Sequence, residues 1–272
     1  MFFYSECAKC MSWTQQNPPL TISDFYPSTY GNPYRRSRKL MRMLKARKHR
    51  ALMQKLRKLS TGSRLLDFGC GDAQFLMDCS NQNLELFGTD LDDRHRHSVE
   101  ETGGVWIPPD ELTDAANRFD FIFLFQVIEH LEYPKDCLSL LLKCLREDGL
   151  LVIETPAPCG LDYKCFPTSY WGGFHAPRHF FIPSISSLKK LLEEIGFEIL
   201  EQRLIPSPYT WAETLKVVAA KYLPHRFVCR FFTIDNPFFL VLIAILEYSI
   251  LGFGGSTSNQ RLVARARPIS AQ

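Results

Sequence analysis

Two acidic residues and a pair of glycines stand where two neighbouring apolar segments of the chain end. Asp67 lies near the end of the first segment and is followed by Gly69-Cys70-Gly71, and Asp90 comes directly after the second segment, residues 84–89. Glycines at a strand end let the backbone approach a ligand closely. A carboxylate after the next strand can accept hydrogen bonds from both hydroxyls of a ribose. The spacing therefore predicts a site for a nucleoside-containing ligand.

The pattern Asp67-x-Gly69-x-Gly71 with Asp90 resembles that of the class I S-adenosylmethionine-dependent methyltransferases. The dinucleotide fingerprint Gly-x-Gly-x-x-Gly would need a third glycine where this chain has Gln74. That glycine allows close helix–strand packing beneath a pyrophosphate. S-adenosylmethionine carries no phosphate, so the loss of a phosphate cradle does not affect its binding. A nicotinamide-dependent dehydrogenase is therefore the most distant alternative.

The resemblance implies a role for each residue at this edge of the sheet. Asp67, Gly69 and Gly71 would line the methionyl and ribose region, together with Cys70 between the glycines. Asp90 would accept the ribose hydroxyls. The remaining cofactor contacts would come from Leu91 beside the adenine, and from Gln126 and Val127 at the border of the methyl group and adenine.

Apolar segments that alternate with helical patterns position these residues. Residues 119–127 and 150–156 are continuous apolar runs, which are typical of strands buried on both faces. Helices are predicted for residues 135–145 and 184–195, and two more strands for residues 197–205 and 261–267. This order predicts a doubly wound α/β fold. The resemblance makes it a Rossmann-like, seven-stranded sheet with helices on both faces.

Methyl transfer to a hydroxyl needs a positioned acceptor and a group that removes its proton. Glu129 and His130 follow the fourth strand of the predicted sheet, and His175 and His179 lie in the long insertion after the fifth. In proteins of this fold, such an insertion covers the acceptor site. We expect His179 or His130 to act as the base. The alternative is that His130 hydrogen-bonds locally and His179 braces the insertion.

A metal-dependent variant of the chemistry also has a sequence counterpart. Some relatives bind a divalent metal through Glu-x-x-Glu-His and a later histidine, which would correspond to Gln126, Glu129, His130 and His179. Gln126 replaces the first carboxylate and contributes no charge, although carboxylate charge is what holds Mg²⁺. The sequence therefore predicts no metal ion.

The N-terminal arm, residues 1–34, contains the pair Cys7-x-x-Cys10. Relatives with a small zinc module carry two such pairs, so this chain is similar to the second half of that module only. A structural zinc site needs four ligands. Three alternatives follow for a zinc-binding arm, which are that the chain begins late, that the module is reduced or that a partner completes it. We favour two unligated cysteines in an ordered arm.

Residues 35–60 form a basic segment with apolar residues at near-helical spacing. The periodicity predicts an amphipathic helix with Leu40, Met43, Leu44, Leu52 and Leu56 on its apolar face. We favour a helix that precedes the first strand and has a solvated cationic face. The alternative is an anion-facing lid for a phosphorylated substrate, an anionic membrane or RNA. No aromatic residues are interleaved, which disfavours RNA.

Residues 237–253 are the most apolar part of the chain, but they are short for a bilayer span and contain Glu247. A buried or dimer-forming helix is our first expectation. A peripheral helix that meets a lipid-linked substrate is the second, and a membrane span is the third.

Length and composition are those of an ordinary globular chain. Its 272 residues, of which 46% are hydrophobic, can bury a full core, and a net charge of +3 favours no particular class of partner. The nine cysteines show no disulfide-like spacing and no secretory signal opens the chain, so we expect a cytoplasmic protein with reduced thiols. A cofactor-binding core is expected at 61–205 with an insertion at 156–183. A C-terminal part is expected at 206–272.

The leading interpretation is an enzyme that methylates a small-molecule or carbohydrate-like acceptor, at oxygen. The first alternative is an RNA or protein methyltransferase that uses the basic helix, although nucleic acid is the less expected partner. The second is a non-catalytic scaffold that binds the cofactor. A homodimer and a peripheral membrane contact through residues 237–253 are further expectations.

Overall fold

The computed structural model describes residues 2–19, 21, 25, 39–166, 168–222 and 236–267. The chain forms two compact units. The large-sheet unit comprises the described residues of Lys39–Glu154, Lys189–Gln202 and Leu262–Gln272. The small-sheet unit comprises those of Met1–Arg38, Thr155–Leu188 and Arg203–Arg261.

A seven-stranded sheet in the order β5-β4-β3-β6-β7-β10-β9 organises the large-sheet unit. Its strands are β3 (Arg64–Phe68), β4 (Glu85–Thr89), β5 (Val105–Trp106), β6 (Phe119–Phe125), β7 (Leu145–Pro156), β9 (Phe197–Leu204) and β10 (Asn259–Ala266). The pairs β3–β4, β3–β6, β4–β5 and β6–β7 are parallel. The doubly wound, Rossmann-like fold expected from the sequence is confirmed.

The parallel register brings the ends of β3 and β4 side by side. Asp67 of β3 pairs with Gly88 of β4 on one side and with Phe123 of β6 on the other. Six of the seven residues of β6 are buried, as a strand covered on both faces requires. Gly88 is needed for close packing, because a Cβ there would lie 2.6 Å from Val99. Loops that follow β3 and β4 therefore meet at one edge.

Three of the described helices are long, and the others are short. They are α1 (Lys39–Leu56), α2 (Gln74–Cys79), α3 (Arg96–Glu101), α4 (Pro134–Cys144), α5 (Leu161–Cys165), α6 (Ile185–Ile195), α7 (Pro208–Tyr222) and α8 (Pro237–Gly252). Single 3₁₀ turns occur at Asp93–His95, Pro109–Asp114, Ile128–His130, Thr168–Tyr170 and Gly172–Phe174. No described helix combines the length and the apolar character needed to cross a bilayer.

Helix α1 packs on the large sheet through a stripe that differs from the predicted one. Leu52 and Leu56 are buried as expected, but Met43 and Leu44 are exposed. The buried stripe continues from Leu52 to His49. The His49 ring stacks on Phe125 and forms a hydrogen bond of 2.7 Å with the Asp78 carboxylate. The prediction for Met43 and Leu44 was wrong because buried polar partners fix the rotation of the helix. The side chain of Leu40 lies outside the described part.

A three-stranded sheet in the order β1-β2-β8 organises the small-sheet unit. Strands β1 (Tyr4–Glu6) and β2 (Trp13–Gln15) form an antiparallel hairpin, and β2 pairs with β8 (Phe181–Ile182). At the hairpin tip, the backbone N–H groups of Cys10 and Lys9 lower the pKa of the exposed Cys7 thiol. Among the described residues, neither cysteine belongs to a group of three metal-ligating side chains. The expectation of two unligated cysteines stays a prediction.

Buried carboxyl groups anchor the rest of the small-sheet unit. Asp162 accepts hydrogen bonds from the Trp171 indole at 3.1 Å and from the Ser258 hydroxyl. Glu247 of α8 accepts the backbone N–H of Ser207 at 2.7 Å, just before α7. A buried carboxylate is costly unless it is hydrogen-bonded, so these bonds fix the insertion after β7 and the rotation of α8.

Candidate active site

The loop between β3 and α2 is built from backbone conformations that few side chains adopt. Gly69 and Gly71 have φ values of 75° and 49°, and Ala73 has 52°. A Cβ on Gly69 would also lie 2.5 Å from Val127, whereas the space around Gly71 is open. Gly69 is therefore required by both conformation and packing, and Gly71 by conformation alone.

Asp90 ties this glycine loop to the end of β4. Its Oδ2 accepts the N–H of Gly71 at 2.9 Å and its Oδ1 accepts the N–H of Asp92 at 3.1 Å. The N–H groups of Gly69 and Cys70 donate to the Thr89 carbonyl at 2.8 and 3.0 Å. A carboxylate has about four lone-pair sites, so Asp90 is oriented by the backbone and keeps acceptor capacity for hydroxyl groups.

Asp67 is a buried carboxyl group with an unusual protonation equilibrium. Burial raises its pKa to about 7 from an ordinary value of 3.8, and the nearby Asp90 carboxylate adds to the effect. The ammonium group of Lys45 opposes both. Because the folded state binds this proton more tightly than the unfolded chain, the contribution of Asp67 to stability falls as pH rises from about 4 to 7.

Lys45 is a site residue that the sequence analysis missed. Burial lowers its pKa to about 8, and the carboxylates of Glu154, Asp78 and Asp67 limit this shift. It lies four residues before His49, so it extends the buried stripe of α1. The helical periodicity of that stripe could have singled Lys45 out from the other cations of the segment.

The loop after β6 contains the next group of predicted residues. Gln126 adopts a left-handed φ of 58°, and its N–H donates to the Glu154 carbonyl at 2.8 Å. Such a conformation in a non-glycine residue costs about 1–3 kcal/mol and is concentrated at functional sites. Val127 packs against Gly69. The structure therefore brings Val127 to the glycine loop, with Gln126 directly before it in the chain. Their contact with the cofactor stays a prediction.

Other predicted residues are placed as follows. Leu91 is 94% exposed and offers an apolar surface beside Asp90. Glu129 and His130 lie in the 3₁₀ turn after β6, where Glu129 is buried and His130 is partly exposed. His175 and His179 belong to the small-sheet unit, in which their rings are 5.2 Å apart and nearly perpendicular.

Hydrogen bonds assign the tautomers of both small-sheet histidines. Nδ1 of His179 lies 2.7 Å from the Gly173 carbonyl, which can only accept, so Nδ1 carries a proton. Nε2 of His175 lies 2.6 Å from Nη2 of Arg178, which can only donate, so that nitrogen accepts. The Tyr4 hydroxyl lies 2.7 Å from the His179 carbonyl and fixes the same loop.

The parallel sheet and its glycine loop, held by a carboxylate at the neighbouring strand, define the class I methyltransferase architecture. A family described as "Methyltransferase domain" matches residues 34–202. This match covers more than half of the chain, and the protein belongs to that family.

Curated relatives share a shorter segment. The tRNA U34 carboxymethyltransferase of Aliarcobacter butzleri is 35% identical over 86 residues, covering 31% of this chain and 28% of that protein. The protein of the same name from Desulfotalea psychrophila is 26% identical over 147 residues, covering 50% and 45%. The chain thus spans less than half the length of these two relatives.

Solved structures share the fold at low identity. A SAM dependent methyltransferase from Archaeoglobus fulgidus superposes with a TM-score of 0.53 at 19% identity, over 82% of this chain and 94% of that one. Phosphoethanolamine N-methyltransferase 2 of Haemonchus contortus gives 0.54 at 15%, over 92% and 60%. The [4+2]-cyclase SpnF gives 0.52 at 17%, over 80% of each chain.

The chain therefore carries a methyltransferase domain, and the cofactor of this family, S-adenosylmethionine, supplies when bound a methyl group on a positively charged sulfur. The residues of the large-sheet unit fit this cofactor. Asp67 would offer a carboxylate to its cationic methionyl part, and Lys45 would offer an ammonium group to its carboxylate. Asp90 would offer acceptors to the ribose, and Leu91 would offer an apolar surface to the adenine.

Replacement of Asp90 should weaken cofactor binding without unfolding the protein. Hydrogen bonds to a charged group contribute about 1.5–3 kcal/mol, so we expect Asp90→Ala to lower the affinity for S-adenosylmethionine and S-adenosylhomocysteine roughly 10- to 100-fold. Calorimetric titration measures both. The exposed neighbour in Asp93→Ala is the matched control, and an unchanged affinity in Asp90→Ala would contradict the assignment.

Cofactor binding should release a proton from Asp67. Part of Asp67 is protonated near pH 6.5 because its pKa is about 7, and a cationic ligand favours the ionised form. Affinity should therefore rise with pH up to about 8. Calorimetry in two buffers of different ionisation enthalpy measures the proton release.

Two variants test this assignment of the proton. Asp67→Asn should abolish the proton release. Lys45→Met removes the cation that lowers the Asp67 pKa, so it should move the release to higher pH and weaken cofactor binding. A binding enthalpy of the wild-type protein that does not depend on the buffer would show that Asp67 is ionised before the cofactor binds.

Proposed function

We propose that the protein transfers a methyl group from S-adenosylmethionine to a hydroxyl oxygen of a small-molecule or carbohydrate-like acceptor, and that His179 removes the acceptor proton. The observation that carries the proposal is the hydrogen bond between Nδ1 of His179 and the Gly173 carbonyl. It places the proton of the neutral imidazole on Nδ1, so Nε2 is the basic nitrogen. The accepting carbonyl of Gly173 thus determines which ring nitrogen is basic.

A hydroxyl acceptor is where such a base matters most. Its proton must leave as the oxygen attacks the methyl carbon, and a positioned general base contributes about 10²–10⁴-fold to the rate. His179 is 6% exposed, and its loop is tied to Tyr4 through the His179 carbonyl. Burial and this tether support a fixed ring orientation, which general-base catalysis requires.

The other predicted catalytic residues are weaker candidates for this role. Nε2 of His175 already accepts a hydrogen bond from Arg178. Glu129 is completely buried, where an ionised carboxylate is costly. His130 shares its turn with Glu129 and stays a prediction. We therefore assign the base to His179 alone and keep His175 as a residue that positions the Arg178 side chain.

RNA methylation is the second candidate, because the curated relatives are tRNA U34 carboxymethyltransferases. Three cations of α1 and its end have partners within the protein. Lys55 forms an ion pair with Glu201, and Arg57 donates to the Gln82 carbonyl at 2.7 Å. The carboxylates of Glu154, Asp78 and Asp67 act on Lys45. Arg42, Arg47 and Arg50 of α1 are exposed, and this cationic face keeps RNA as the second candidate.

A labelled-methyl assay tests the proposed acceptor class. The protein is incubated with S-adenosylmethionine that carries a radioactive methyl group, and with separate pools of sugars, phenols and bulk tRNA. We expect label in the sugar or phenol pool, in a linkage that is stable as an ether. Label in tRNA would overturn the proposal and favour the second candidate. Cofactor binding without transfer to any pool would favour the scaffold alternative.

His179→Asn isolates the role of the base once an acceptor is found. The asparagine amide preserves a donor at the position of Nδ1 and removes the basic nitrogen, so the loop should stay in place. We expect kcat to fall about 10²–10⁴-fold, with KM for the acceptor and affinity for the cofactor within about twofold. The exposed histidine in His97→Asn is the matched control. An unchanged kcat would exclude His179 as the base.

A further inference from the structure

Helix α8 presents an apolar face to solvent where a surface helix normally carries charges. Phe238, Leu242 and Ile245 are 76%, 60% and 59% exposed. They are spaced i, i+4 and i+7, so they form one stripe along the helix. Val241 and Leu246 widen this stripe and are also exposed. We call these five residues the α8 stripe.

The α8 stripe cannot turn inward to be buried. The opposite side of the helix carries Ile243 and Glu247, which are buried. The Glu247 carboxylate accepts the Ser207 backbone N–H at 2.7 Å, and the Asn236 side chain accepts the Phe239 N–H at 3.3 Å. Rotation of the helix would break these bonds and expose other apolar residues. The exposed stripe is thus a stable property of the fold.

The chemistry of the stripe selects its partner. None of its five side chains can form a hydrogen bond, and a contiguous apolar surface of this kind marks an interaction site. Residues 216–236, which precede α8 in the chain, contain four Lys or Arg residues and one Asp. The two of these cations that the structure describes, Lys216 and Lys221, are exposed on α7.

An apolar helix next to a cationic segment is complementary to an anionic lipid surface. Interfacial helices bury an apolar face at the boundary of headgroups and acyl chains, and anionic headgroups attract nearby cations. Tyr248 is exposed toward the end of α8, and tyrosine favours such interfaces because it has an apolar body and a polar tip. A second copy of the chain would instead bring like charges together across a two-fold axis.

We propose that the α8 stripe binds the surface of an anionic lipid bilayer, with α8 lying in the plane of the interface. The proposal does not depend on the identity of the methyl acceptor. It places the enzyme at a membrane without a bilayer span, which agrees with the absence of a spanning helix among the described residues.

Vesicle flotation tests this proposal with the full chain. The probes are vesicles of phosphatidylcholine alone and of phosphatidylcholine with about 30% phosphatidylglycerol. We expect the wild-type protein to float with the anionic vesicles and to bind them more weakly in high salt. The double variant Leu242→Gln/Ile245→Gln should lower the partition coefficient roughly 10- to 100-fold, because it removes two apolar side chains from the contact.

Matched variants separate the α8 stripe from general effects. Met43→Gln/Leu44→Gln changes two exposed apolar residues of α1 and should leave vesicle binding unchanged. Lys216→Gln/Lys221→Gln should weaken binding to anionic vesicles only. Thermal unfolding and cofactor titration check that each variant is folded. Phe238→Trp should show a blue-shifted emission when anionic vesicles are added.

Three outcomes would overturn the proposal. The first is the absence of flotation with either kind of vesicle. The second is flotation that Leu242→Gln/Ile245→Gln does not reduce. The third is a wild-type dimer in sedimentation velocity that this double variant converts to a monomer while no vesicle binding occurs, because the stripe would then be an interface between copies.

Discussion

The burial of the Asp67 carboxyl group at the end of β3 is the constraint on which the site depends. A carboxylate at this place is disfavoured by the loss of water and by the Asp90 carboxylate on the neighbouring strand end. Lys45 from α1 and the backbone N–H groups that hold Asp90 offset this unfavourable ionisation. The glycine loop and α1 thus have one electrostatic purpose, which is to keep two acids close together.

The sequence was sufficient to predict the large sheet and many of the residues at the edge where the glycine loop and Asp90 lie. Continuous apolar runs such as Phe119–Phe125 have one stable environment, the middle of a parallel sheet, and the order of the strands fixes which loops meet. Asp67, Gly69 and Asp90 could therefore be placed together before the structure was known. Helix α1 was also predicted, although only the Leu52 and Leu56 part of its buried stripe was.

Other contacts could not be predicted because they depend on three-dimensional packing of distant segments. Lys45 is one cation among many in α1, and periodicity could have singled it out only with the correct rotation of the helix, which buried polar partners such as His49 and Asp78 determine. The tautomer of His179 depends on the Gly173 carbonyl, and a carbonyl carries no sequence signal. The short strand β8 was missed because two residues do not establish a periodicity.

The fold limits the chemistry less than the side chains do. The same architecture occurs in a [4+2]-cyclase as well as in methyltransferases, so function has to be argued from particular residues. In this protein the two units carry different functional groups. The large-sheet unit carries the carboxylates and glycines that suit S-adenosylmethionine, and the small-sheet unit carries a histidine whose proton position is set by a backbone carbonyl.

The N-terminal hairpin has a consequence for how this protein tolerates shortening. Strand β2 covers one edge of β8, and the Gln15 N–H donates to the Phe180 carbonyl at 2.9 Å. A chain trimmed of its first sixteen residues would keep the entire large sheet, yet it would leave the edge of β8 bare. Bare strand edges recruit other chains and promote aggregation. The hairpin therefore protects this strand edge, and it also holds the His179 loop through Tyr4.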